Sequence, residues 1–183
     1  MEAHRTIQIT KLQAARSHLK TACALWFADT APVSTNTLAY AAHEVIHRLY
    51  RNAGNTDLLF DTALVKDEFR ADFALLIKES ANFFKHANRE CLAEDKHEFP
   101  EGLNDVLLLM SIVGLQRLNL PLELSEAAFL FYKMLRHPTW FPNSQVHKER
   151  PEHEIAKMLS LSKPEFFKAY ALAQSNHSVK AQQ

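Results

Sequence analysis

The sequence predicts an all-α fold, an antiparallel bundle of four to five helices followed by additional short helices. Three observations carry that prediction. Only 3 glycines occur in 183 residues, too few for the positive-φ turns that sandwiches, dinucleotide-binding sheets and phosphate loops need. Apolar residues recur at three- and four-residue spacing rather than in alternation. Of the 7 prolines, all but Pro32 and Pro100 fall from Pro121 to Pro164, where they separate short segments. The length suits one domain with an extension: a bundle core over 1–120, added helices over 121–175 and a frayed tail over 176–183.

The first helix is marked by Leu12, Ala15, Leu19, Ala22, Cys23, Trp26 and Phe27 on one face. Asp29 to Val33 breaks it. Ser34 then reads as the N-cap of a second helix to Asn52, with Gly54 at the C′ position and Leu38, Ala42, Val45 and Leu49 as its apolar stripe. A third helical region starts near Lys66 and carries Phe69, Phe73, Leu76 and Ile77. Ser80 offers a recapping point before Ala81–Ala87. Asn88 to Gly102 is polar and reads as a surface loop, and Leu103 to Leu118 is apolar enough to sit at the centre of the core. Beyond Pro121, Ser125–Leu135, Glu152–Leu159 and Pro164–Gln174 read as short helices. Ser162 caps the last of them, with Pro164 and Glu165 in its first turn.

Composition bounds the function classes. A 47% hydrophobic chain is not disordered, and 21 Lys+Arg against 21 Asp+Glu argues against a general DNA- or RNA-coating protein. Cys23 and Cys91 form no disulfide framework and fit a reducing compartment. The opening stretch is charged throughout, unlike a signal peptide, and Val106–Gln116 is too short an apolar run to cross a bilayer. A cytoplasmic protein without a membrane partner is expected.

Two stretches carry chemistry. His43–Glu44–Val45–Ile46–His47 is an H-E-x-x-H on a helix. In metalloproteases this spacing sets two imidazoles one turn apart for zinc, with the Glu polarising the metal-bound water. Against the stripe of Leu38, Ala42, Val45 and Leu49, however, His43 and His47 point roughly 130–170° away. No third ligand follows at the protease spacing. Two histidines on a polar face make the same pattern. The second stretch is Lys78 to Arg89, where Lys78, Asn82 and His86 stack at i, i+4 and i+8, with Phe83, Phe84 and Ala87 facing the core. An amide, an imidazole and cations on one ridge suit phosphate contact, and they equally suit a solvated helix end.

Ala41–Ala42–His43–Glu44 followed by Ala81–Asn82–Phe83–Phe84–Lys85–His86–Ala87 resembles a group of bacterial helical proteins that is similar to HEPN-type bundles. The resemblance spans Leu12 to Leu118, and the two motifs are its specific part. It implies a four- or five-helix bundle that dimerises and gathers its polar residues in one cleft. In active HEPN ribonucleases an Arg, a polar residue and a His on one helix cut RNA without metal. By that correspondence Asn82 takes the polar position and His86 the histidine, but Ala81 stands where the arginine would be. The resemblance with that departure favours a binding module for a nucleotide, RNA or protein partner. Its site would be Asn82, Lys85, His86, His43 and Glu44, with no cofactor. Two enzyme readings stand beside it. One is a hydrolase holding zinc or another divalent metal on His43, His47 and His86 with Glu44 as base. The other is a metal-independent ribonuclease with His86 as catalytic residue and Lys78, Lys85 or Arg89 replacing the missing arginine.

Overall fold

The computed structural model describes residues 6–55, 66–85 and 92–180, with side chains through 176. His86, Ala87, Arg89 and Cys91 lie outside the described residues, and so does every expectation placed on them. Among the described residues the chain is helical and contains no strand. In chain order the helices are α1 (Lys11–Phe27), α2 (Pro32–Asn52), α3 (Arg70–Lys85), α4 (Gly102–Arg117), α5 (Leu124–Arg136), α6 (Val146–Glu149), α7 (Glu152–Leu159) and α8 (Lys163–Lys180). None is long and apolar enough to cross a membrane.

Local chemistry explains several of the ends. Thr10 and Gln13 close a capping box on α1, the Thr10 backbone N–H donating to Gln13 Oε1 at 2.8 Å. Ser162 and Glu165 start α8 in the predicted way, Glu165 accepting from both the backbone and the hydroxyl of Ser162. Those two bonds hold the Glu165 carboxyl below its ordinary range. Gly54 follows α2 at φ 89°, a conformation glycine adopts without a Cβ penalty. The start of α2 differs from the Ser34 expectation. The helix begins at Pro32, with Ala31 in the left-handed region at φ 51° as its N-cap, because a first-turn proline needs no N–H partner and Asp29–Ala31 can turn sharply enough to admit it.

Helix α4 is the centre of the core, buried on all sides from Leu107 to Ile112. Helix α2 packs on α1 and α4, and its buried stripe is Thr35, Asn36, Ala39, Ala42, Ile46 and Tyr50. That corrects the leucine-centred stripe: Leu38 and Val45 are only partly buried. The stripe is turned by about 75° toward the histidines. Helices that approach closely need small side chains at the contact, so Ala39 and Ala42 of α2 take the interior, in the same core as Ala15, Leu19 and Ala22 of α1, and the longer Leu38 is left partly buried.

Helix α3 is preceded by a single 3₁₀ turn, Asp67–Phe69, and its buried residues are Ile77, Ser80 and Ala81. Phe83, expected to face the core, is 43% exposed. It lies over the ring of His97 at 5.1 Å from the following loop. Phe84 makes an edge contact with Phe99 of the same loop at 5.1 Å. The C-terminal helices pack onto the same core. Phe166 of α8 is buried between Phe27, Phe131 and Tyr132, and α5 is pinned to α1 by Arg16, which donates to Glu126 at 3.1 Å and to the Pro121 carbonyl at 2.6 Å. Cys23 is fully buried on α1, and its thiol is pushed up by burial first and by Glu126 second, which leaves it inert.

Candidate functional site

The turn of the α2 stripe decides where the H-E-x-x-H residues go. His43 and His47 flank the buried stripe instead of opposing it, and they form one wall of a cleft between α2 and α3. Tyr40, Glu44 and Arg48 continue that wall, Ala74 and Lys78 of α3 face them, and Ile77 with Met110 of α4 lies beneath. The cleft holds about 310 Å³. Its floor is apolar and its rim charged, the usual make-up of a small-molecule site.

The two imidazoles stand one helical turn apart, ring centroids 5.6 Å apart and planes inclined by 53°. The Nδ1 of His43 is sealed from solvent with no hydrogen-bond partner among the described residues. Burial, and secondarily the neighbouring His47, lowers the His43 pKa to about 4, so the ring is neutral at physiological pH. A neutral imidazole both donates and accepts, depending on its tautomer.

Glu44 faces a different set of groups. It accepts a hydrogen bond from Tyr40 and pairs with Lys85 at 3.8 Å, while the Lys85 ammonium sits 4.2 Å from the centre of the Tyr40 ring. The Tyr40 hydroxyl is held above its usual range by burial first, then by the Glu44 charge and the bond to it. This cluster ties the C-terminal end of α3 to α2 and leaves Lys78 and Arg48 as exposed cations at the mouth, with no ion pair among the described residues.

The structure thus brings together His43, Glu44, His47, Lys78 and Lys85. Asn82 is exposed and is not among the residues lining the cleft. His43 and His47 set two imidazoles side by side on the cleft wall, and no group of three His, Cys, Asp or Glu able to hold a metal occurs among the described residues. Met110 and Ile77, the apolar floor, carried no signal as site residues, because only the crossing of three helices makes them neighbours.

A serine–histidine contact also emerges: Ser80 Oγ and His97 Nε2 are 2.8 Å apart. Ser80 has no exposed surface, so no substrate reaches the hydroxyl. The bond, with the Phe83 and Phe84 rings against the imidazole, fastens the loop before α4 to α3. Comparison with known proteins gives no match to a family model, to a curated protein or to a solved structure.

Proposed function

We propose that this chain is a helical binding module, HEPN-like in arrangement and homodimeric, whose α2–α3 cleft takes a mononucleotide. The observation that carries the reading is the pairing of an apolar floor with a neutral, partly exposed His43 ring and two rim cations, Lys78 and Arg48, that have no ion pair among the described residues. A base entering between Tyr40 of α2 and Ala74 of α3 meets the exposed part of the neutral His43 ring, which donates or accepts a hydrogen bond. Lys78 and Arg48 supply the charge for its phosphate. A volume near 310 Å³ suits one nucleotide-sized ligand better than a run of RNA.

Calorimetric titration of AMP into the purified protein tests this. Lys78→Ala and Arg48→Ala should each weaken binding about tenfold through loss of a charge-assisted contact. His43→Ala should abolish discrimination between AMP and ribose 5-phosphate. Absence of AMP binding at millimolar concentration refutes the reading, and cleavage of a structured RNA in EDTA would move the chain to the ribonuclease class. The 5.6 Å spacing of the two imidazoles favours one further reading, a divalent-metal site on His43 and His47. Stoichiometric metal in protein purified without chelator, lost in His43→Ala, would establish it.

A further inference from the structure

A second pocket, of about 250 Å³, lies at the N-terminal end of α2, where the ends of α1, α2, α4 and α8 meet. Its chemistry is set by Trp26, Asp29, Glu101, Asn104, Asp105 and Lys163. The indole is held rigidly. Its Nε1 donates to Asp105 Oδ1 at 2.6 Å, and Asp105 Oδ2 pairs with the buried Lys133 at 2.6 Å. The ring face carries a primary ammonium of this same chain: Lys163 Nζ is 4.4 Å from its centre and 2.5 Å from Asp29 Oδ1.

The groups left over are acceptors. Asn104 is 4% exposed and lines the pocket. Its amide nitrogen donates to the Pro32 carbonyl at 3.0 Å, and its Oδ1 is buried with no hydrogen-bond partner among the described residues. A buried acceptor of this kind is costly until a donor reaches it. The Glu101 carboxylate is exposed at the rim with no ion pair among the described residues. Helix N-termini favour anions, but Glu101 and Asp105 already place carboxylates at the start of α4. The pocket's cationic donor, Lys163, is engaged on Trp26 and Asp29 and has no bond to Asn104 Oδ1 or Glu101 among the described residues, and an aromatic face beside a carboxylate is where an organic cation binds.

We propose that this pocket binds a small primary alkylammonium, which takes the place of the Lys163 ammonium on Trp26 and Asp29 and donates to Asn104 Oδ1. Lys163, at the start of α8, is then the pocket's internal competitor. Its release is the step that couples ligand to the last helix.

The chain has 2 tryptophans, so a Trp140→Phe background leaves Trp26 emission as the readout. In that background n-butylammonium should give a saturable change, and n-butanol, its uncharged counterpart, should give none. Lys163→Met should tighten n-butylammonium by about tenfold, because a competing internal ligand no longer reduces the fraction of open pocket. Glu101→Gln, at the rim, should weaken it about threefold. Asn104→Ala, checked for helicity by circular dichroism, should lose it; where that variant fails to fold, the Lys163→Met comparison decides. The proposal is overturned by no saturable change in either protein, by an equal response to n-butanol, or by Lys163→Met binding no tighter.

Discussion

Replacing His43 by Gln should remove a defined part of the protein's acid sensitivity. The folded ring has a pKa of about 4, below the ordinary 6.5, because its Nδ1 is sealed beneath the α2–α3 cleft and His47 stands beside it. Between those values the unfolded chain binds a proton that the folded chain refuses, so stability rises with pH across this window. The contribution of the neutral ring is fully present above the unfolded pKa and is lost as pH falls from about 6.5 toward about 4. The two-state linkage relation puts the loss at about 2 kcal/mol between pH 7 and pH 5 and about 3 kcal/mol by pH 4. Urea unfolding of wild type and His43→Gln at matched pH values isolates the term, because carboxylate contributions are common to both and cancel. The wild-type curve should fall more steeply with acid by that amount. Parallel stability–pH curves for the two proteins would refute the sealed, neutral imidazole on which the nucleotide reading rests.

Three other perturbations test the surrounding framework. Asp105→Ala strands the buried Lys133 and frees the Trp26 indole, so denaturant unfolding should show a loss of about 3–5 kcal/mol, and the double variant with Lys133→Met should recover most of it. Phe166→Ala removes a fully packed ring from between α1, α5 and α8. It should cost about 3–5 kcal/mol, read from the same transition, and a value under about 1 kcal/mol would mean that α8 does not belong to the core. Thr10→Ala deletes a capping-box oxygen at the exposed start of α1 and should cost about 1 kcal/mol in the same assay.

Much of the helical framework was legible in the residues. Scarce glycine, the apolar period, Gly54 after α2 and the Ser162–Glu165 start of α8 are local features, and local hydrogen bonding and sterics act on them within a few residues. The all-round apolar character of α4 likewise marked it as central, since a helix with no polar face has no surface to turn to water. The His43–Glu44 and Lys85 parts of the site were visible as residue types. Their relation to one another was not, because Glu44 and Lys85 meet only where α3 folds back along α2.

Sequence by itself determined that the chain is helical, where its strongest boundaries fall and which helix is innermost. Only the tertiary structure decided which way α2 faces. Periodicity finds the most hydrophobic side of a helix, but a helix held between α1 and α4 buries the side that packs closest. On α2 that side is built from Ala39 and Ala42 with Thr35 and Asn36. A rotation of about 75° follows, and it moves His43 and His47 from the outer face to the wall of a cleft floored by Met110. The second pocket depends on tertiary structure in the same way. Trp26, Asn104 and Lys163 are far apart in the chain, and they line one pocket only because the helix ends that carry them converge.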